Sequence, residues 1–191
     1  MTIYIGADHR GFELKNQLRN WLEEQGHKVV DCGNDHMDAE DDFPDFGRAV
    51  ALKILKRHEQ EQAEKTDTTD DTSEDPDFTT TKSHTYEGVA SLPNETEREI
   101  PSEDHELGIL VCGSGIGVCI TANRYKGIRC GAAYTPDHAR HGRENDHINI
   151  LGLAADMLDL EKAKEIVHTF LNAAPLMKEK YVRRVRKHDM Y

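Results

Sequence analysis

The chain has 191 residues, of which 37% are hydrophobic, and it carries a formal net charge of −12 at pH 7 with a mean hydropathy of −0.73. This length suits one buried core, and the negative charge makes nucleic acid and anionic membrane surfaces poor partners for the molecule as a whole. No apolar run approaches the roughly 20 residues that a membrane-spanning helix needs.

The negative charge is concentrated in one segment. Residues 58–106 contain 16 acidic and 3 basic residues, whereas the rest of the chain is close to neutral. The segment is rich in Thr, Ser, Asp and Glu and has no hydrophobic periodicity, so it cannot bury enough apolar surface to offset the entropy lost on ordering. We therefore predict a single domain, 1–191, interrupted by a long acidic disordered insertion at about 57–106.

Strand and helix patterns alternate along the rest of the chain. Before the insertion, the pattern predicts a strand at 2–6, a helix at 12–25, a strand at 27–32 and a helix that begins at Pro44. After it, strands are predicted at 107–112, 128–134 and 148–153, with helices ending near Asn123, spanning 136–143 and following an Asp159 cap. This alternation predicts an α/β fold with a Rossmann-like, doubly wound, five-stranded parallel sheet.

Ligands of such sheets bind at the carboxyl ends of the strands, where residues 7–10, 113–117 and 134–137 are expected. The strand that ends at Cys112 is followed by glycines at alternate positions, in the sequence VCGSGIG at 111–117. Glycine lets backbone N–H groups approach a ligand, and the start of the next helix adds partial positive charge. Such a place stabilises an anion, including a thiolate. The motif matches neither a dinucleotide fingerprint nor a phosphate loop.

The four cysteines predict a reduced protein. Cys32, Cys112, Cys119 and Cys130 form no C-x-x-C pair, and their spacing suits neither a zinc site nor a disulfide framework. A cysteine at a strand end is more often a packing residue than a reactive one, and Cys32, Cys119 and Cys130 are interpreted in that way. The chain enters its first strand directly, without a signal-peptide pattern, so we expect a cytoplasmic location.

Two other segments carry groups suited to ligand binding. Asp8 and His9 follow the first strand and are expected beside the Cys112 loop, where they could bind hydroxyl groups or pass protons, or form only a surface turn. The basic tail at 178–187 is either a solvated helix face or a phosphate-binding surface. His138, His141 and His147 cluster in the sequence but fit no metal-ligand spacing.

Several short motifs follow one another in a fixed order. They are GADHRGFELK at 6–15, DFP at 42–44, CGSGIG at 112–117, ANR at 122–124 with GIR at 127–129, and NIL at 149–151. Together they resemble the type B ribose-5-phosphate isomerase family, which includes the galactose-6-phosphate isomerase subunits. The resemblance extends from Ile3 to about Lys187 and is interrupted only by the insertion.

The resemblance implies an aldose–ketose isomerase of the pentose phosphate pathway that converts ribose 5-phosphate to ribulose 5-phosphate without a metal or other cofactor. It also implies a homodimer or homotetramer with active sites shared between subunits. Cys112 would move the proton through an enediolate, the backbone amides of 113–117 would stabilise that intermediate, and Ser114 and Asp8 would handle hydroxyl protons. His9 and Arg184 would lie at the phosphate end of the substrate. The remaining implied substrate-binding residues are Gly113, Gly115, Ile116, Gly117, Asn123, Asn145, Asp146 and Lys180.

The chain departs from the family pattern at three places. Asn145 stands where a ring-opening histidine is common, and an amide cannot exchange a proton near neutral pH. Asp156 stands where members often carry a phosphate-binding arginine, and Lys180 with Tyr181 replaces Arg and His. His147 or His141 could open the ring after a local shift, and the basic tail could replace the arginine.

These departures leave two alternative functions open. One is an isomerase of another sugar phosphate, a tetrose or hexose phosphate in open-chain form. The other is a non-catalytic family member that binds a phosphorylated ligand, or a partner through the acidic segment.

Overall fold

The structure, a computed structural model, describes residues 1–66 and 106–190. Its elements in chain order are β1 (Thr2–Ala7), α1 (Phe12–Glu24), β2 (Lys28–Asp31), α2 (Phe43–Thr66), β3 (Glu106–Cys112), α3 (Ile116–Ala122), β4 (Cys130–Ala132), α4 (Pro136–Asp146), β5 (Ile150–Ala154), α5 (Leu160–Asn172) and α6 (Glu179–His188). The strands form one parallel sheet in the order β2-β1-β3-β5-β4. The predicted α/β fold with a five-stranded parallel sheet is therefore confirmed.

Helices cover both faces of this sheet. On one face, Leu18 of α1 and Phe170 of α5 pack in the same cluster as Ile109 of β3. On the other face, Val50 of α2 belongs to the cluster that contains Leu110. Because both faces of β3 are covered, all of its residues are buried, which explains the continuous apolar run that predicted this strand.

The order of the strands creates a crevice at the carboxyl edge of the sheet. β1 and β3 are neighbours, with Ala7 opposite Val111 at their ends. The chain leaves β1 toward the face covered by α1 and leaves β3 toward the face covered by α3. Adjacent strands whose connections diverge in this way leave an opening between their ends. Asp8 and the loop after Cys112 lie at this opening.

Helix and strand extend into both ends of the segment predicted as an insertion. α2 continues to Thr66, because the stretch beyond 57 is composed largely of Glu, Gln, Lys and Ala, which favour helix even without an apolar stripe. At the other border, Glu106 is the first residue of β3 and is buried, with Tyr4 Oη 3.3 Å from each carboxylate oxygen. Residues 67–105 lie outside the described part of the chain, so their predicted disorder stays a prediction.

α4 is longer than the sequence indicated, whereas the basic tail is a helix with exposed charges, which is one of the two expectations. α4 runs beyond Arg143 to Asp146 and is closed by His147 in the left-handed conformation, with φ of 52°. The basic tail forms α6, which buries Val185 and exposes most of its charged side chains. The predicted Asp159 cap of α5 is confirmed, because Asp159 Oδ1 accepts the Lys162 N–H at 2.8 Å.

Across residues 1–66 and 106–190, no helix combines the length and the apolar character needed to span a bilayer. In the same part of the chain, no three His, Cys, Asp or Glu side chains are grouped so that they could hold a metal ion.

Candidate active site

Cys112 is the last residue of β3, and its thiol is held in the loop that follows. The side chain is buried, with 4% of the residue exposed, and the Gly115 N–H lies 3.2 Å from Cys112 Sγ. Gly115 has φ of +74°, and a Cβ there would lie 3.0 Å from the backbone carbon of Leu153. Both features require glycine, since an L side chain is strained at this φ and would meet the neighbouring strand. The sequence thus fixes the N–H that faces the sulfur.

The rest of the glycine loop is packed equally closely. Ser114 Oγ accepts the Ile116 N–H at 3.3 Å, and the Ser114 carbonyl accepts the Tyr134 hydroxyl at 3.1 Å. A Cβ at Gly117 would lie 2.8 Å from the ring of Phe43, which begins α2. The loop therefore lies between the β4 end and the start of α2, and segments 113–117 and 134–137 meet as the sequence predicted.

Asp8 lies at the end of β1, beside this loop. Its residue is 5% exposed, and Oδ1 accepts the Gly11 N–H at 3.0 Å. Burial raises the pKa of the Asp8 carboxyl, and the hydrogen bond from Gly11 opposes that rise. A carboxyl whose pKa lies above the ordinary value is closer to the range in which it can donate a proton and take it back near neutral pH.

His9 is held by an aspartate that sequence reasoning missed. Asp41 Oδ1 lies 2.8 Å from His9 Nδ1 and accepts the His9 backbone N–H at 2.9 Å. The other oxygen of Asp41 accepts an N–H from Asn34 at 3.1 Å. The hydrogen bond to Asp41 raises the pKa of His9 and favours its cationic form. Asp41 precedes the DFP motif directly, which is the signal that could have indicated it.

A second ion pair crosses the same edge of the sheet. Arg10 contacts both carboxylate oxygens of Asp156, through Nη2 and through Nε, the latter at 3.3 Å. A Cβ at Gly113 would lie 2.7 Å from Arg10 Nε and 2.7 Å from Asp156 Oδ2. The pair therefore lies directly over Gly113. The sequence marked Asp156 only as a departure from a family pattern and did not predict its partner.

The other predicted substrate-binding residues lie at the opposite edge of the sheet. α3 and α4 start at the carboxyl edge and run back, so Asn123, Asn145 and Asp146 lie near the amino ends of β4 and β5. The Asn123 side chain bonds both backbone groups of Cys130, at 2.7 and 2.9 Å. Asn123, Asp146 and other residues line a cavity of about 380 Å³ there.

α6 belongs to this second group. It packs against α4, and the chain that leads into it is fixed by the Leu176 N–H on the Glu144 carbonyl, at 2.8 Å. Beyond its last turn, Asp189 lies 3.6 Å from Arg129. Lys180 and Arg184 are exposed on this helix. Within one chain, the structure does not bring them together with Cys112.

The histidines considered for ring opening differ in accessibility. His147 is 1% exposed, and its Nε2 lies 3.1 Å from the Leu176 carbonyl oxygen. His141 is exposed and, with His138, lines a cavity of about 300 Å³ between β4 and α4. Of the two candidates, His141 is therefore the one that a ligand can reach.

The remaining cysteines have the surroundings of packing residues. Cys119 Sγ and Cys130 Sγ are 3.1 Å apart and buried. Burial raises the pKa of Cys130 well above its ordinary value and that of Cys32 to about 11. Neither thiol forms a thiolate readily near neutral pH.

Comparisons with known proteins agree over nearly the whole chain. The model of a family described as Ribose/Galactose Isomerase matches residues 3–66 and 60–188. Ribose-5-phosphate isomerase B of Mycolicibacterium paratuberculosis is 30% identical over 185 residues, which cover 97% of this chain and 87% of that protein. Among solved structures, a ribose 5-phosphate isomerase from Thermotoga maritima has a TM-score of 0.71 at 30% identity, covering 100% of this chain and 98% of its own. Ribose-5-phosphate isomerase B from Mycoplasma genitalium with bound ribulose-5-phosphate has a TM-score of 0.72 at 28% identity, covering 100% and 95%.

Proposed function

The chain belongs to the Ribose/Galactose Isomerase family, among its type B ribose-5-phosphate isomerases, and we propose that it interconverts ribose 5-phosphate and ribulose 5-phosphate without a cofactor. One observation carries the proposal: the Cys112 thiol faces the Gly115 N–H at the carboxyl edge of the sheet, where Asp8 also lies. The relatives named ribose-5-phosphate isomerase B, one of them with bound ribulose-5-phosphate, support the substrate.

Cys112 acts as the base that moves the proton between two carbons. Its thiolate takes the proton from C2 of the open-chain aldose, and the C–H electrons form a C1=C2 double bond. The electrons of the C1 carbonyl move to O1, which gives an enediolate. Ser114 and Asp8 then pass the O2 proton to O1, the O2 electrons form the C2 carbonyl, and the electrons of the C1=C2 double bond take the proton from the thiol to C1. Atoms and charge balance, and the thiolate is regenerated.

The loop after Cys112 supplies what the enediolate needs. The negative charge develops on oxygen atoms, and backbone N–H groups fixed before the reaction stabilise such a charge without reorganisation. The tight packing of Gly115 and Gly117 holds the loop amides in place. Ser114 and Asp8 exchange the hydroxyl protons, a role that the raised pKa of the buried Asp8 carboxyl supports.

The phosphate end of the substrate is bound by cations. His9 contributes an imidazole whose pKa is raised by the hydrogen bond to Asp41, which favours its cationic form. Arg184 and Lys180 on α6 contribute further positive charge, and both are exposed. Because these two residues and Cys112 lie at different edges of the sheet, we propose that the complete site combines residues of two copies in a homodimer or homotetramer. Asn123, Asn145 and Asp146 would reach the substrate from the second copy.

A second candidate substrate is an open-chain sugar phosphate, such as a tetrose or hexose phosphate. Asn145 cannot transfer a proton, and His147 is buried against Leu176. Ring opening then depends on His141 or on the spontaneous opening of the sugar. A substrate that is already open-chain avoids this step.

The function is tested by following ketose formation from ribose 5-phosphate and from open-chain tetrose phosphates in D2O. We expect turnover with deuterium incorporated at the reacting carbon, since a thiol proton exchanges with solvent during the enediolate stage. Cys112→Ala should abolish turnover, whereas Cys32→Ala, which removes a thiol outside the loop, should not. Turnover by Cys112→Ala would exclude the thiolate mechanism. Absence of turnover by the wild type on every sugar phosphate would indicate a non-catalytic family member.

A further inference from the structure

The Arg10–Asp156 pair joins two loops across the mouth of the crevice. Arg10 comes from the loop after β1, and Asp156 from the loop after β5, on either side of β3 in the sheet. The Asp156 N–H also donates to the Gly113 carbonyl at 3.1 Å. The ion pair and the loop after β3 thus form one surface. Cys112 is the residue that directly precedes Gly113 in this loop.

Asp156 bonds one edge of the Arg10 guanidinium and leaves the Nη1 edge available to a ligand. An arginine has five N–H donors in a planar fork, and Asp156 takes those of Nε and one of Nη2. The Nη1 edge has no partner among the described side chains, those of residues 1–56 and 106–190, and the Arg10 side chain is 57% exposed. An oriented guanidinium with a free edge is suited to a phosphate, which accepts two parallel N–H bonds.

The two cations around this edge are each held by a carboxylate. His9 precedes Arg10 and is held as a donor by Asp41. Each nearby carboxylate has its own donor: Asp8 has the Gly11 N–H, Asp41 has His9, and Asp156 has Arg10. Each cation is thus oriented by a carboxylate that offsets its charge, so the attraction of this edge for an anion comes from the remaining N–H donors of Arg10.

We propose that Arg10 binds the phosphate of the substrate through its Nη1 edge and determines specificity for it, and that Asp156 is the positioning residue that orients Arg10. This inference rests on the proposed function. It also gives a role to Asp156, at the position where the family resemblance implies an arginine: here a guanidinium comes from the other loop and lies over Gly113. An ion pair as exposed as this one adds little to stability, so a purely structural role explains its geometry less well.

The test measures binding of inorganic phosphate and of ribose 5-phosphate by calorimetry, beside kcat and KM. We expect Arg10→Ala to weaken phosphate binding and raise KM by about tenfold or more, with a smaller change in kcat. Arg10→Lys should bind with intermediate affinity, because it keeps the charge without the planar fork. Lys162→Ala, which removes a cation from an exposed ion pair on α5, should bind phosphate like the wild type.

Two further variants separate binding from folding and positioning. Adding Asp156→Arg to Arg10→Ala should restore phosphate binding, because it returns a guanidinium to the same surface from the opposite loop. Asp156→Ala alone should raise KM with kcat nearly unchanged, and Asp156→Glu should recover part of the loss. If Arg10→Ala does not fold, Arg10→Gln gives the same comparison with a neutral polar side chain.

The outcomes distinguish this inference from the proposed function. Unchanged phosphate affinity and KM in Arg10→Ala, in an enzyme that isomerises ribose 5-phosphate, would overturn the inference alone. If the wild type binds phosphate but turns over no sugar phosphate, and Arg10→Ala loses that binding, the anion site is supported and the proposed function is wrong.

Discussion

Asp41 Oδ1 accepts the backbone N–H of His9 at 2.9 Å and lies 2.8 Å from Nδ1 of the same residue. One carboxylate oxygen therefore fixes both the backbone and the ring of His9, although the two residues are 32 positions apart. Asn34 holds the second oxygen of Asp41 at 3.1 Å, so the carboxylate itself is fixed. This contact orients the histidine that we place at the phosphate end of the substrate and raises its pKa, which favours the cationic form.

We expect Asp41→Asn to lower the pKa of His9 toward its ordinary value of 6.5, because the bond that favours the cation is lost. A group with a raised pKa in the folded state stabilises the protein below its unfolded pKa, and this contribution is lost as pH rises through the folded value. The difference in unfolding free energy between wild type and Asp41→Asn should therefore shrink as pH rises through the pKa of His9 in the folded protein. NMR titration of His9 and unfolding at several pH values measure both effects. An unshifted His9 titration would contradict this account.

Substitution of Gly115 by alanine should damage both stability and catalysis. A Cβ would be strained at φ of +74° and would meet the Leu153 backbone at 3.0 Å, which we expect to cost about 1 to 3 kcal/mol of unfolding free energy. The displaced N–H would leave Cys112 Sγ, so kcat should fall by about tenfold or more. Chemical denaturation and steady-state kinetics measure these changes.

Gly26→Ala is the matched control for that experiment. Gly26 has φ of +84°, but a Cβ there meets nothing within 4 Å, and the residue lies after α1, outside the site. The backbone strain alone should cost about 1 kcal/mol and leave kcat unchanged. Equal kinetic effects of the two substitutions would show that the Gly115 contact with Cys112 has no special role.

The buried Lys15 makes Asp31 a determinant of stability. Lys15 is fully buried, its Nζ lies 2.5 Å from Asp31 Oδ2, and Arg19 contacts the same oxygen at 3.0 Å. Asp31→Ala leaves the Lys15 charge without its carboxylate and should cost about 3 to 5 kcal/mol. Lys15→Met should cost less, because Asp31 keeps Arg19 and the Gly33 N–H. Denaturant unfolding of the two variants decides the order, and a larger loss in Lys15→Met would contradict it.

Mixing two inactive variants tests whether sites are shared between copies. Cys112→Ala removes the base at the carboxyl edge, and Arg184→Ala removes a cation on α6, near the other edge. If one site takes Cys112 from one copy and Arg184 from the next, co-refolding equal amounts should restore roughly a quarter of the sites. Activity after co-refolding, compared with each variant refolded alone, measures this. No recovery in mixed oligomers, verified by differential tagging, would indicate that each chain forms its own site.

The limits of sequence reasoning are clearest at the charged residues. The glycine pattern around Cys112 and the apolar alternation placed the loop after β3 at the carboxyl edge of the sheet, as the structure has it, since both depend on local chemistry. Arg10 and Asp156 are 146 positions apart, and only the adjacency of β1, β3 and β5 brings them together. α2 also extends to Thr66, into the stretch that composition predicted as disordered, because its final turns depend on helix propensity and carry no apolar stripe.

The sequence by itself determined the fold class, the Asp159 cap, the Cys112 loop and the family motifs. Each depends on residues near one another in the chain: on the spacing of apolar side chains, on the residues that turns require, or on a short ordered motif. Only the tertiary structure decided which partner each charged side chain has and which of the candidate site residues lie at each edge of the sheet. Asp41 holds His9, Asp156 holds Arg10, and Asn145 lies at the edge of the sheet opposite Cys112. The physical reason is that an ion pair forms between groups close in space, and strand order sets that closeness independently of separation along the chain.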